Sequence, residues 1–209
     1  MITPHHIKIK FADLAKLSHM RIMLDEDIQM TEDEFFQFCQ ENQELKFERT
    51  KEGNIIVMTP TGLETDGRNT EIIGELVLWN RQSNYGKVFG SSAGFTLPDN
   101  SVLSPDAAII AHHRFNQLSN EDKAKFGHIC PEFIIELKSP SDRIATLKTK
   151  MQNWLNNGVQ LGWLIDPGAE KTYIYRPDKE VEEINGFDQV LLGEEVLKGF
   201  ELDLKILKS

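Results

Sequence analysis

The sequence predicts a single α/β domain built on a central mixed β-sheet, with a helix and hairpin added before it and strands after it. Two helical patterns support this class, one over about 66–81 and one after Asp142. Short apolar segments lie between and after them, separated by turns rich in Gly, Pro, Asp, Asn and Ser. The resulting order is α-β-β-β-α-β. We assign residues 1–30 to an N-terminal arm and 31–209 to one domain, whose core covers about 66–176.

Length and composition limit the class further. The chain has 209 residues, with 40% hydrophobic and 27% charged, as is usual for one globular domain. No apolar run reaches the roughly 18 residues of a membrane span, and Met1–Lys10 lacks the apolar core of an export signal. The two cysteines, Cys39 and Cys130, lie far apart and suit a reducing compartment. We therefore expect a cytoplasmic protein without a membrane partner.

Turn and capping signals place the N-terminal elements. Thr31 and Glu34 match a capping box, in which each side chain satisfies a backbone amide at the start of a helix. After that helix, Leu45–Arg49 and Ile55–Met58 flank a turn at Lys51–Asn54 and predict a hairpin.

The remaining elements follow the apolar pattern. A surface helical turn is predicted at Asn120–Phe126, and a helix ends before Gly158. The predicted strands are Val88–Ser91, Gly94–Leu97, Asp106–Ile110, Phe133–Leu137, Trp163–Ile165, Thr172–Tyr175 and the alternating segment Phe200–Ile206.

A glutamate interrupts the most apolar of these strands. Phe133–Leu137 has the composition of a strand covered on both faces, with Glu136 as the exception. A buried carboxylate without a partner either takes up a proton or requires a cation beside it. Lys138 follows two residues later, so in a regular strand its side chain lies on the same face as Glu136.

A second carboxylate begins another apolar strand, because Asp106 follows Pro105 directly and precedes Ala107–Ile110. If the two strands are neighbours, Asp106 and Glu136 converge. With water and phosphate oxygens they would supply the oxygen ligands that Mg²⁺ prefers, and Mn²⁺ could substitute. Such an ion would polarise a phosphodiester and activate water, and Lys138 would position that water or stabilise the phosphate. We predict a catalytic site of Asp106, Glu136 and Lys138.

The same residues allow a structural interpretation. Glu136 and Lys138 would then form an ion pair on one face of a strand, and Asp106 would be only a turn residue after Pro105. The spacing of these residues leaves both interpretations open.

The pattern Pro105-Asp106 followed by Glu136-Leu137-Lys138 resembles the PD-(D/E)xK motif of the restriction endonuclease-like superfamily. The chain is similar, more specifically, to the Uma-type family of predicted restriction endonucleases, which is abundant in cyanobacteria. The similarity extends from about residue 45 to the C-terminus. It is carried by Ser104–Ala107, Phe133–Arg143 (FIIELKSPSDR), Lys150 and Asn157–Pro167.

The resemblance implies a restriction endonuclease-like αβββαβ core and a bound Mg²⁺. Asp106, Glu136 and the backbone carbonyl of Leu137 would hold the metal, and Lys138 would be the catalytic lysine. The superfamily often adds a glutamate from the helix before the sheet. Glu71 and Glu75 share one helical face there, and we favour Glu71. Many relatives carry a histidine near the start of this helix, where this chain has Asn69.

Three polar residues of the later helix and its first turn are candidate phosphate contacts. Arg143 could bind phosphate or a structural carboxylate. Lys150 and Gln152 could reach phosphate, or could equally be solvated helix residues.

These observations favour a Mg²⁺-dependent endonuclease that hydrolyses DNA and works as a homodimer or higher homo-oligomer, since cutting both strands calls for two sites. The net charge of −10 disfavours extensive phosphate binding. Two alternatives suit that charge better: a nuclease-derived, non-catalytic interaction module, or a metal-dependent hydrolase of a smaller phosphate ester.

Overall fold

Residues 30–58 and 60–208, together with the backbone of residues 19–22, are described by the computed structural model. Within these ranges, two six-stranded sheets and one two-stranded sheet pack with α-helices. The helices are α1 (Glu32–Glu41), α2 (Leu63–Ser83), α3 (His112–Phe115), α4 (Asn120–Ala124) and α5 (Ile144–Asn156). The strands are β1 (His19–Ile22), β2 (Lys46–Arg49), β3 (Ile55–Met58), β4 (Gly86–Gly90), β5 (Phe95–Thr96), β6 (Val102–Leu103), β7 (Ala107–Ala111), β8 (Gly127–His128), β9 (Phe133–Leu137), β10 (Leu161–Asp166), β11 (Lys171–Tyr175), β12 (Glu182–Asn185), β13 (Val190–Leu192) and β14 (Glu201–Asp203).

The central sheet has the strand order β12-β11-β10-β9-β7-β4. Strands β9 and β10 run parallel and are joined by helix α5, whereas the other neighbours are antiparallel. Along the chain, α2, β4, β7, β9, α5 and β10 follow the predicted order α-β-β-β-α-β. The predicted α/β class with a central mixed sheet is confirmed.

The second sheet has the order β1-β3-β2-β6-β5-β8 and contains the predicted hairpin as β2 and β3. Strand β1 belongs to the predicted N-terminal arm and pairs with β3. The other residues of that arm, apart from Met30, lie outside the described residues. Strands β6 and β8 were not predicted, because each has only two residues and carries no periodic signal.

One predicted strand is shorter than expected. Within Phe200–Ile206, only Glu201–Asp203 pairs as a strand, and Leu204–Leu207 forms a 3₁₀ helix. The Asp203 side chain accepts a hydrogen bond from the Lys205 amide at 3.0 Å, which caps this turn. Alternating apolar residues suit both structures over so short a segment, and local capping favoured the helix.

The central sheet is buried on both faces. One face packs against α2 and the C-terminal elements, where Trp163 stacks on Phe200 with ring centroids 5.7 Å apart. The other face packs against α5, with Met151 and Trp154 fully buried. A polar side chain on these strands therefore has little access to water unless a cavity reaches it.

The predicted helix signals are present. Thr31 and Glu34 form the capping box of α1. Helix α5 ends at Asn156, and Gly158 follows with a φ of +116°, a conformation that favours glycine. Helices of the length and apolarity needed to cross a bilayer are absent from the described ranges.

Glycine substitutions test the packing of β4 against β7. A Cβ atom at Gly86 would collide with the backbone carbonyl of Ile110, so Gly86→Ala must displace one strand and should destabilise the protein by about 1–3 kcal/mol. Gly74 lies inside α2 with no atom within 4 Å of an added Cβ. Gly74→Ala is the matched control and should stabilise by about 0.5–1 kcal/mol. Urea unfolding measures both, and equal effects of the two changes would contradict this packing.

Candidate active site

Asp106 and Glu136 lie opposite each other on neighbouring strands. Ala107 of β7 pairs with Ile135 of β9, and continuing this antiparallel register by one residue places Asp106 beside Glu136. The Leu137 amide donates to Asp106 Oδ2 at 2.7 Å, which fixes the aspartate against the end of β9. The strand adjacency on which the predicted site depended is therefore present.

Glu136 has a cation beside it, as its burial required, but that cation is Lys150. Glu136 is 3% exposed. Its Oε1 accepts hydrogen bonds from Lys150 Nζ and from the indole Nε1 of Trp154, both at 2.9 Å. Both donors come from α5, which crosses between β9 and β10 and covers this face of the sheet.

Lys138 lies elsewhere. It follows the last residue of β9, and its Nζ donates to the Ser139 carbonyl at 3.3 Å and lies 3.8 Å from Asp166 Oδ1. The structure does not bring its ammonium to Glu136. Both sequence interpretations, catalytic lysine and ion-pair partner of Glu136, placed Lys138 beside Glu136 from strand parity, and the catalytic role came also from the family resemblance. Lysine has a long side chain, and here it reaches the next strand instead.

Lys150 is held by three acceptors rather than by solvent. Its Nζ lies 2.8 Å from Glu48 Oε1, 2.9 Å from Glu136 Oε1 and 2.8 Å from the Ser104 carbonyl oxygen. Its side chain is 12% exposed. An ammonium has three protons, so this geometry satisfies all of them. The alternative of a solvated helix residue does not apply to Lys150.

Glu48 is a site residue that the sequence did not indicate. It lies on β2 of the other sheet, is 4% exposed, and accepts from the Ser104 amide at 2.9 Å as well as from Lys150. In the sequence, Phe47-Glu48-Arg49 suggests a strand with Glu48 on a solvent face. All three residues are buried, because β2 is covered on both faces. No local sequence pattern distinguishes such a strand from one with a face exposed to solvent.

The electrostatics of the cluster follow from burial. Burial raises the pKa of Glu136 to about 8, against the opposing effect of the Lys150 ammonium. Burial also raises the pKa of Asp106, while the Leu137 amide and Lys150 act in the other direction. Burial disfavours the charged form of Lys150, but Glu136 and Glu48 outweigh it and raise its pKa. The permanently charged Lys150 ammonium therefore lies among three carboxylates. A proton or a further cation must balance the remaining negative charge.

These residues line a cavity of about 660 Å³, which we call the α5-side cavity. Glu48, Asp106, Glu136, Leu137 and Lys150 all contribute to its wall. No described residue donates a hydrogen bond to Asp106 Oδ1 or Glu136 Oε2, so each carboxylate keeps one oxygen for a ligand. Over the described ranges, no group of three or more His, Cys, Asp and Glu side chains is arranged to hold a metal. The protein ligands available here are two carboxylates and backbone.

The other candidate residues lie away from this centre. Gln152 is exposed, and its amide donates to Asn156 Oδ1 at 2.9 Å. Arg143 is exposed at the N-cap of α5. Glu71 is exposed too, because the buried face of α2 carries Thr65, Asn69, Ile72 and Leu76 instead. The residue that α2 turns inward near Asp106 is therefore Asn69.

The mixed sheet, with helices on both faces, defines an α/β protein, and two carboxylates lie together where neighbouring strands end. The fold of the chain is similar to the solved structure of a "putative nuclease belonging to DUF820" from Anabaena variabilis ATCC 29413. The TM-score is 0.69 at 22% identity, over 85% of this chain and 97% of that one, so the likeness shows the fold. No curated protein matches the chain. Residues 32–205 match the Uma2 family, described as "Putative restriction endonuclease". The chain belongs to the Uma2 family.

The pKa of Glu136 makes stability depend on pH. A carboxyl pKa raised from its usual 4.5 to about 8 stabilises the fold below pH 4.5, and that contribution is lost as the pH rises towards 8. Glu136→Gln removes the titration. Relative to that of the wild type, the free energy of unfolding of this variant should rise between pH 4.5 and 8, by up to roughly 1.4 kcal/mol per pH unit.

Urea unfolding in EDTA at a series of pH values measures this difference. Exposed Glu71→Gln is the matched control and should follow the wild-type curve at every pH. A Glu136→Gln curve that also runs parallel to the wild type would contradict a raised pKa at Glu136.

Proposed function

We propose that this protein is a Mg²⁺-dependent nuclease that hydrolyses phosphodiester bonds of DNA at the Asp106–Glu136 centre. One observation carries the proposal. Two carboxylates lie opposite each other where neighbouring strands end, and each has one oxygen that accepts no hydrogen bond from the described residues, in a cavity that a buried lysine also lines. Family membership supports the same class of activity. Duplex cleavage would call for two such sites, and we propose a homodimer for that case.

The donor set fits Mg²⁺ on chemical grounds. Mg²⁺ takes oxygen ligands, keeps several waters, and is usually held by only one or two protein carboxylates. Asp106 and Glu136 supply these, and the Leu137 carbonyl is the proposed third ligand. The three carboxylates around one ammonium also leave negative charge that a divalent cation would balance. When bound, Mg²⁺ would supply the positive charge that polarises a phosphodiester and makes water a stronger nucleophile.

Lys150 takes the role that the sequence assigned to Lys138. Its raised pKa keeps it charged, so it acts as a fixed cation and does not accept a proton. Within a cavity of low dielectric, that charge stabilises the negative charge that develops on the phosphate during hydrolysis. It also favours the ionised form of Glu136, which is the form that binds a metal.

Three further groups act as positioning residues. Trp154 Nε1 and Lys150 Nζ both donate to Oε1 of Glu136 and leave Oε2 for the ligand. The Leu137 amide does the same for Asp106 by donating to Oδ2. Glu48 holds Lys150 in place and is itself held by the Ser104 amide. Each carboxylate is thereby oriented before any ligand arrives.

A non-catalytic interaction module is the second candidate, and the closed hydrogen-bonding of Lys150 favours it. All three ammonium protons already have acceptors, so the cluster could serve only to join the two sheets. In that case Asp106 and Glu136 would show no affinity for divalent cations. Metal binding therefore separates the two candidates more directly than stability does.

Calorimetry with Mg²⁺ and Mn²⁺ tests the metal site. Wild type should bind the ion, and Asp106→Asn should lose affinity by tenfold or more, because one of two carboxylate ligands becomes neutral. Glu71→Gln is the control and should bind as wild type does. Equal heats for wild type and Asp106→Asn, with both folded by circular dichroism, would support the interaction module.

Cleavage of supercoiled, linear and single-stranded DNA tests the activity. With Mn²⁺ present, Lys150→Met should lower the rate about 10²–10³-fold, since it removes a fixed charge from the reacting phosphate. Lys138→Met should stay near the wild-type rate. Lys150→Met also removes the cation between two buried carboxylates, and their repulsion destabilises the protein. Asp106→Asn keeps the shape of the wild-type side chain and therefore provides a second inactive variant. Loss of activity in Lys138→Met with retention in Lys150→Met would reverse our assignment.

A further inference from the structure

A second cavity adjoins Asp106 on its other side. It has a volume of about 300 Å³ and is lined by residues of α2, so we call it the α2-side cavity. Met58, Pro60, Thr61 and Asp106 line both cavities. A ligand that occupies both cavities would therefore lie against Asp106, beside the position proposed for the scissile phosphate.

Asn69 gives this cavity an unpartnered polar group. It lies on the buried face of α2, is 9% exposed and lines the α2-side cavity. Its Oδ1 is buried and accepts no hydrogen bond from any residue that the structure describes. Leaving a buried acceptor unsatisfied costs about 1–3 kcal/mol. A ligand that donates an N–H or O–H to Asn69 would recover that free energy.

The charges around the cavity limit what the ligand can be. Lys46 lines it, and no group of three or more His, Cys, Asp and Glu side chains among the described residues is arranged to hold a metal ion, so a second metal ion is disfavoured there. Three carboxylates, those of Glu44, Asp66 and Asp106, also line it and disfavour an anion in its interior. A neutral group with N–H donors is disfavoured by neither the ammonium nor the carboxylates. Met58 and Pro60 supply apolar wall against which a flat ring can pack.

We propose that the α2-side cavity binds the unpaired nucleobase of the nucleotide next to the scissile phosphate, with Asn69 accepting an N–H of that base. This inference rests on the proposed nuclease function and names its substrate class. Lys46 lies at the exposed end of the cavity, where its Nζ donates to Ser91 Oγ at 2.8 Å and is available to the backbone phosphate. A base held in this way must leave the duplex stack. The substrate is therefore single-stranded or locally unpaired DNA.

The experiment measures binding of fluorescein-labelled 12-nucleotide strands in Ca²⁺, so that no turnover is needed. The probes are oligo-dA, oligo-dC and oligo-dT, with an abasic strand of equal length and charge as reference. Wild type should bind the best base-bearing strand about 5–100-fold more tightly than the abasic strand, as one good base contact provides. Asn69→Leu should bring that ratio near one, and Asn69→Asp, which keeps an acceptor, should retain part of it.

Lys46→Met is the matched control. It should weaken all strands alike, keep the ratio of base-bearing to abasic binding, and reduce the salt dependence by about one phosphate contact. A wild-type ratio near one, or a ratio that Asn69→Leu leaves unchanged, would overturn the proposal. Thermal unfolding identifies a misfolded variant, and Asn69→Leu should be at least as stable as wild type because it removes an unsatisfied acceptor.

The outcome is separate from that of the nuclease proposal. Base-dependent binding could be lost in Asn69→Leu while neither the wild type nor any variant cleaves DNA. In that case the cavity recognises bases and the catalytic proposal fails. If cleavage occurs and binding ignores the base, the catalytic proposal stands and the α2-side cavity has another use.

Discussion

The Lys150 ammonium is the polar contact that joins the two large sheets and helix α5 beside the candidate site. It contacts Glu48 of the second sheet, Glu136 of the central sheet, and the carbonyl oxygen of Ser104, two residues before Asp106. Removing one partner of such a buried cluster leaves uncompensated charge, which typically destabilises a protein by about 3–5 kcal/mol. The contact that orients the candidate site is thus also one that the fold depends on, so stability and activity are coupled at this residue.

The register of β7 against β9 sets the rest of the site. Because Ala107 pairs with Ile135, the next residue on each strand brings Asp106 to Glu136, and a slip of one residue would turn the Asp106 side chain to the opposite face of the sheet. The hydrophobic pattern on both faces resists such a slip, since β7 and β9 are buried throughout. Strand pairing, fixed by the core, therefore holds two carboxylates together despite their repulsion.

The sequence predicted the mixed sheet, the order of its elements along the chain and the need for a cation at Glu136, because these depend on local pattern and on the cost of burying charge. It did not identify Lys150 as that cation or Glu48 as its partner. Both contacts join residues far apart in the chain, and no periodicity marks them. Lys138 was favoured by strand parity, which fixes where a Cβ points but not where a long side chain ends. Glu71 was favoured because the superfamily often adds a glutamate from this helix, whereas helix phase turns Asn69 inward.

The net charge of −10 bears on how such a site could bind its substrate. A chain with this charge gains little from counterion release, so most of its affinity for DNA has to come from elsewhere. In our proposals, the two cavities beside Asp106 would offer other sources, a metal-bound phosphate in one and a buried base contact in the other. Base contacts act over short distances and need an unpaired strand. If the α2-side cavity binds a base as we propose, the acidic chain would favour strands with exposed bases over intact duplex, which offers mostly phosphate.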